Sequence, residues 1–130
     1  MIVDASAILS MLLHEQDEDR FVDALSERAE DAVISPVNYL EIALKVDRGD
    51  APQFSNAVDP LLSRLGVEIT RITPEQAYLA REAYQRFGKG NHPAKLNLGD
   101  CFAYALAKAR GEPLLFKGDD FRKTDVEAAL

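Results

Sequence analysis

Apolar residues follow two rhythms along this chain. Short apolar runs at Ile2 to Asp4, Ala32 to Ile34 and Pro113 to Phe116 have the length of buried strands, whereas apolar residues at three- and four-residue spacing mark amphipathic helices between them. The first run feeds a predicted helix from Ala5 to Leu13, and Asp17 to Arg28 predicts a second, with Phe21, Val22, Ala24 and Leu25 turned inward. Pro36 opens a helix that reaches Val46 or Arg48 before Gly49, and another occupies roughly Gln53 to Leu65 before Gly66. Val67 to Ile72 alternates as a strand does. Thr73, Pro74 and Gln76 then form an N-cap, a first-turn proline and a capping-box position, so a helix runs from there to Phe87 before Gly88. The stretch from Gly88 to Leu98 is a predicted loop, and Asp100 to Arg110 an alanine-rich helix stopped by Gly111.

Strand and helix in alternation predict an α/β fold, a central parallel sheet with helices on both faces. In such sheets functional groups collect beyond the carboxyl ends of the strands. Four acidic positions lie where apolar elements could deliver them there: Asp4 in MIVDAS, Glu41 in NYLEIA, Asp100 in LNLGDCF, and Asp119 or Asp120 in LLFKGDDF. Singly, each has an ordinary explanation. Asp4 and Asp100 could cap helices, Glu41 could be a surface acid at the border of a helix face, and the Asp119 and Asp120 pair could be turn formers. Jointly they imply a cation, because like charges brought together raise one another's pKa and resist burial. Oxygen ligands suit Mg²⁺ or Mn²⁺, and metal held this way commonly acts on phosphate esters.

Length and composition set the frame for that chemistry. The 130 residues, 47% hydrophobic and 28% charged, fit one globular domain spanning residues 1–130. No leader or membrane-spanning run is evident, so a cytoplasmic protein without a membrane association is expected. A single cysteine, Cys101, rules out an intrachain disulfide. The net charge of −7 argues against nucleic acid until its distribution is considered. Eight acids (Glu15, Asp17, Glu18, Asp19, Asp23, Glu27, Glu30 and Asp31) crowd the segment from His14 to Asp31, whereas Arg81, Arg86, Lys89 and Lys95 face only Glu82 in the segment from Arg81 to Lys95. That basic run is a candidate RNA-binding track. A solvated helix face is the plainer reading of both runs.

The opening MIVDASAIL, the segment SPVNYLEIALK, the block NLGDCFAYALAKARGEPLLFKGDDFRKTDV and the overall length resemble PIN-domain proteins of the VapC type, the ribonuclease half of prokaryotic VapBC toxin–antitoxin pairs. The resemblance covers essentially the whole chain. It implies a PIN-like fold, RNA cleavage with Mg²⁺ or Mn²⁺ on transfer RNA or ribosomal RNA, a VapB-type antitoxin partner, and a homodimer in which the early helices offer apolar faces to a second copy. The family's acidic constellation falls on Asp4, Glu41, Asp100 and one of Asp119 or Asp120. Asp4 and Asp100 are the expected principal metal ligands. Between Asp119 and Asp120 the local geometry decides: successive side chains of an extended segment point to opposite sides, so one of the pair faces the cleft, and Asp119 is favoured for the fourth place because Asp120 is placed to cap the turn with Phe121 and Arg122. Ser6 matches a hydroxyl residue common two positions after the first acid, where it would orient an acid ligand, and Asn38, one turn before Glu41, is a further candidate of that kind.

Two rival classes remain at this stage. An aspartate-based phosphotransfer domain also places an acid at a strand end, but such phosphatases usually carry a second Asp two residues on, where this chain has Ser6. A catalytically silent PIN-like binding module would not need all four acids.

Overall fold

The computed structural model describes residues 1–28 and 31–130. Glu30, counted above in the acidic run, lies outside them. Four two-residue strands, β1 (Ile2–Val3), β2 (Val33–Ile34), β3 (Glu68–Ile69) and β4 (Leu114–Leu115), form a wholly parallel sheet in the order β3-β2-β1-β4. Ile2 lies opposite Val33 on one side and Leu114 on the other, so the first strand made is a central one.

Alternation across the strands builds two cores. Val3, Ile34 and Leu115 face α1 (Ala5–Leu12), α2 (Glu18–Glu27), α3 (Pro36–Arg48) and α4 (Val58–Leu65), whereas Ile2, Val33 and Leu114 face α5 (Pro74–Phe87) and α6 (Leu98–Arg110). Helices therefore cover both faces, as the apolar rhythm predicts. Full burial of side chains such as Ile2, Ile8, Leu106 and Leu114 contributes about 1.5–3 kcal/mol each.

Local chemistry sets most boundaries. Ser35 and Thr73 cap α3 and α5 by accepting from the backbone N–H of Val37 and Gln76, each ahead of a first-turn proline. The Gln76 side chain does not return the bond to Thr73 but donates to the Arg71 carbonyl at 3.4 Å. Gly66 and Gly111 end α4 and α6 in the left-handed conformation, at φ 68° and 63°.

Three elements differ from expectation. The single helix predicted from Gln53 to Leu65 is split into a 3-10 turn (Pro52–Ala57) and α4. Pro60 has no N–H to donate one turn back and its ring crowds the carbonyl there, so it is accommodated in the first turn of a new helix. The strand expected over Val67 to Ile72 shrinks to Glu68–Ile69, both exposed, because it is an edge strand paired only with β2. Finally, α6 begins at Leu98, two residues earlier than the apolar pattern indicates.

The other side of the sheet is covered. The Leu114 N–H donates to the Glu127 carbonyl at 2.8 Å and the Ala129 N–H to the Leu114 carbonyl at 2.9 Å, so the C-terminal segment lies along β4. Tyr104 donates to Asp125 at 2.7 Å, and Lys108 and Arg86 flank the same carboxylate at 3.1 and 3.6 Å. No helix among the described residues is long and apolar enough to cross a membrane.

Candidate active site

The order of strand addition reverses between β1 and β4, since β2 and β3 are added on one side of β1 and β4 on the other. A crevice outside the carboxyl ends is expected at such a switch point. Asp4 stands there directly after β1, and the turn Lys117 to Asp120 follows β4.

Asp4 is the N-cap of α1, in extended conformation at φ −82°, ψ 155°. Its Oδ2 accepts from the Ser6 N–H at 3.0 Å and the Ser6 hydroxyl at 2.6 Å, while its Oδ1 is buried with no partner. The capping reading is thus correct, yet it uses only one of the two oxygens. Ser6 also accepts from the Lys117 N–H at 2.9 Å, so one hydroxyl ties the end of β4 to the acid at the end of β1. Burial raises the Asp4 pKa against the lowering effect of the Ser6 bonds.

Glu41 arrives from α3. Its Oε2 accepts from the amide Nδ2 of Asn38, three residues earlier, at 3.0 Å, and the same nitrogen donates to the Gly99 carbonyl at 3.0 Å. Burial raises the Glu41 pKa, the Asn38 bond lowers it, and the charge of Asp4 raises it further.

Asp100 arrives from the first turn of α6. Asn97 caps that helix by accepting from the Asp100 N–H at 2.9 Å, and Asp100 Oδ2 accepts from the Asn97 N–H at 3.0 Å, a reciprocal capping box. Burial is the largest cause that pushes the Asp100 pKa up to about 7; Asp4, Glu41 and Asp120 add to it against the Asn97 bond. Asp4, Glu41 and Asp120 therefore all act electrostatically on Asp100, and Asp4 acts on Glu41 as well.

The two acids of the last turn part company. Asp120 is the one whose charge reaches Asp100. Asp119 instead lines a small hollow with Asp17, Arg20, Phe21 and Arg122. Asp120 precedes the 3-10 turn Phe121–Lys123 but makes no side-chain capping bond to it, contrary to the capping role expected for it. With β4 ending at Leu115, the chain turns through Gly118 at φ 92°, which re-aims the residues that follow relative to a simple extended alternation.

The basic run is divided as well. Arg81 and Lys89 line a mainly apolar groove of about 570 Å³ with Tyr84, Leu98 and Phe102, where α5 meets the start of α6, and neither has an ion-pair partner among the described residues. Arg86 is not a free cation: it stands 3.8 Å from Glu82 and 3.6 Å from Asp125 and lies over the Phe87 ring. Lys95 is exposed in the loop before α6, at φ 53°. His92 accepts from the Ala94 N–H at 3.1 Å and packs edge-on against Phe87, which gives it a role within its own loop.

Asn97, Gly99 and Lys117 also join the candidate site, although no apolar pattern marks them. The Asn-Leu-Gly-Asp spacing carried a readable signal for Asn97, an N-cap with an acid three residues on. Lys117 pairs through its ammonium with Glu15, a contact between distant loops with no local signature.

The donor set suits a hard divalent cation: every candidate ligand is a carboxylate, and Asp4 Oδ1 is a buried oxygen in want of a partner. Among the described residues no three acids are closed on a single point as a finished cage.

Comparison with known proteins agrees with this geometry. The PIN domain family model matches residues 1–127. The chain is 44% identical over 130 residues to Ribonuclease VapC42 of Mycobacterium tuberculosis, covering 99% of this chain and 98% of that protein. It is 46% identical over 131 residues to Ribonuclease VapC28 of the same organism, covering 100% and 98%. The crystal structure of Mycobacterium tuberculosis VapC20, described as a sarcin-ricin loop cleaving toxin, superposes with a TM-score of 0.76 at 12% identity, over 96% of this chain and 95% of that one. At that identity the superposition establishes the fold. The chain belongs to the PIN domain family, among its VapC ribonucleases.

Proposed function

We propose that this chain is a Mg²⁺- or Mn²⁺-dependent endoribonuclease, the toxin of a type II toxin–antitoxin pair, and that it cleaves structured RNA of the transfer or ribosomal kind. The single observation that carries the chemistry is the gathering of carboxylates around Asp100 at the switch point between β1 and β4, where Asp4, Glu41 and Asp120 all bear on it and Asp4 also bears on Glu41. Such a set is the opposite of what a binding module needs, since an acid pocket repels the phosphates of RNA until a cation is present.

Asp4 and Asp100 would hold the metal ion, which when bound supplies a positive charge that stabilises the oxygens gaining negative charge at the scissile phosphate. The residues of the chain do the rest. Ser6 fixes one oxygen of Asp4, leaving the other buried without a partner, and the capping box with Asn97 fixes Asp100. Glu41, raised by burial and steadied by Asn38, is suited to take the proton of an attacking water. Asp120 completes the acidic rim. Arg81 and Lys89 would hold the RNA backbone at the adjoining groove, with Lys95 nearby in sequence and Arg86 assigned to the C-terminal segment.

RNA cleavage by the purified chain tests the reading. Excess EDTA should lower cleavage by about 10³-fold or more, as expected when several kcal/mol of charge stabilisation are lost, and Mg²⁺ or Mn²⁺ should restore it. Undiminished cleavage in chelator overturns the metal mechanism.

The RNA track makes a separate prediction. Reversing Arg81 and Lys89 together to Glu should weaken RNA binding and flatten the slope of log affinity against log salt by about 1.4, roughly 0.7 for each phosphate contact on a single strand. Arg86→Glu should instead lower the melting temperature, because it breaks the contacts with Glu82 and Asp125. An unchanged salt slope in the double variant returns the run to a solvated face.

The partners follow from the same family reading. A VapB-type antitoxin would cover the acidic crevice. For the homodimer, α1 and α2 offer little, since Phe21, Ala24 and Leu25 are already buried in the chain's own core. Leu40 and Leu44, one turn apart on α3, and Leu98 at the start of α6 are the large apolar side chains left exposed near the site helices. They are the better candidates for the face a second copy covers, and sedimentation of the purified chain decides whether it is a dimer.

A further inference from the structure

Gly99 is the second residue of α6, one residue before Asp100, where glycine is a poorer helix former than alanine. Its backbone does not demand glycine, since it is absent from the positive-φ positions that explain Gly66, Gly90, Gly111 and Gly118. Space demands it. A Cβ on residue 99 would stand 1.9 Å from Glu41 Oε1, 2.2 Å from its Cδ and 2.3 Å from its Oε2. At Gly49 and Gly88 the obstruction includes a backbone carbonyl, Lys45 O at 2.0 Å and Tyr84 O at 2.3 Å, so those glycines serve the chain path. At Gly99 the three nearest atoms all belong to one carboxyl group at the end of a flexible side chain.

We propose that Gly99 is a positioning residue for the active site: its missing side chain is the notch in α6 that seats the Glu41 carboxylate next to Asp100. Asn38 is the second half of the device. Fully buried, its amide donates at 3.0 Å to Glu41 Oε2 and at 3.0 Å to the carbonyl of Gly99, so one group registers both the carboxylate and the residue on which it rests. Two helices from opposite sheet faces, α3 and α6, meet through this contact, and it brings Glu41 to the first turn that carries Asp100. A methyl at residue 99 would expel the carboxylate from the notch at little cost to the backbone and remove it from the Asn38 amide. Stability and function are therefore set against each other at this one position.

The inference rests on the ribonuclease reading for its activity arm but not for its structural arm. The test is Gly99→Ala, alone and combined with Glu41→Ala, read by thermal melting in chelator, by the Asn38 side-chain amide resonances, and by single-turnover RNA cleavage with saturating Mn²⁺. Gly99→Ala should melt at or above the parental temperature, shift the Asn38 amide as Glu41→Ala does, and lose about tenfold or more in cleavage rate, equivalent to about 1.4 kcal/mol. Added to Glu41→Ala it should change neither cleavage nor the Asn38 signal. Parental cleavage by Gly99→Ala, an unmoved Asn38 amide, a melting temperature lowered by several degrees, or a further loss on top of Glu41→Ala each overturns the notch. If the parental chain itself fails to cut RNA, the ribonuclease reading falls, and the Asn38 amide still decides whether Gly99 seats Glu41.

Discussion

Asp100→Asn should abolish metal-dependent cleavage, by about 10³-fold or more, and at the same time make the metal-free protein harder to melt at neutral pH. The second half follows from linkage. In the folded chain the Asp100 pKa is raised from 3.8 to about 7, chiefly by burial and then by Asp4, Glu41 and Asp120. A carboxyl with a raised folded pKa favours folding most below its unfolded value, and that contribution is lost as pH climbs through the folded value. The metal-free parental protein should therefore lose stability between about pH 4 and about pH 7 and stay at the lower level above that. The whole shift would correspond to about 4 kcal/mol, but Asp100 is partly exposed, and solvent screening reduces the gain on substitution to about 1–2 kcal/mol. Asn at this position keeps an oxygen that can accept from the Asn97 N–H, so the capping box need not be broken. Melting curves in chelator should place Asp100→Asn about 3–8 °C above the parental chain at about pH 8 and level with it at about pH 4. Adding Mn²⁺ should raise the parental curve and leave the variant's unmoved. A variant that melts well below the parental chain at every pH would make Asp100 a structural cap.

The acids of the KGDDF turn should separate sharply. Asp120→Asn should reduce cleavage by about 10–100-fold, the usual cost of disturbing a group that shapes a metal site, and Asp119→Asn should cut at close to the parental rate. Both are exposed, and the Asp120 side chain makes no capping bond, so neither substitution should move stability by more than about 0.5 kcal/mol. This reverses the roles expected from the sequence. Extended alternation after β4 makes Asp119 the crevice acid only if the chain continues straight, whereas Gly118 turns it and Asp120 is left acting on Asp100 while Asp119 joins Arg20 and Arg122 around a separate hollow. Parallel cleavage assays and melts on the two variants decide it; an inactive, folded Asp119→Asn restores the original assignment.

What could be read from the chain alone depended on how local its cause was. Strand runs and helix caps are written in neighbouring residues, and Pro36, Thr73, Gly66 and Gly111 act where the pattern places them. Three of the acids were legible for a related reason: each sits at the boundary of an apolar element, and a parallel sheet carries such boundaries to one edge. The start of α6 is equally local, but it is written in the polar pair Asn97 and Asp100 rather than in the apolar rhythm. Other features have causes far away in sequence. Arg86 looks like part of a free basic track until the C-terminal segment brings Asp125 to it, and Gly99 looks like an ordinary loop end until α3 delivers Glu41. The short edge strand β3 likewise reflects how few partners the sheet offers it rather than the alternation of its own residues.

The central position of β1 also governs when the site can exist. Its first neighbour, β2, pairs with it through Val33, but its second, β4, joins through Leu114, and the turn that bears Asp120 comes later still. Closing so long a loop is slow compared with local helix formation, and synthesis itself delivers the N-terminal part first. A chain still emerging from the ribosome thus carries Asp4 and Glu41 well before it has the strand that assembles the crevice. The order of strands in the sheet is a timer: Asp4, Glu41, Asp100 and Asp120 come together only once nearly the entire polypeptide has been made.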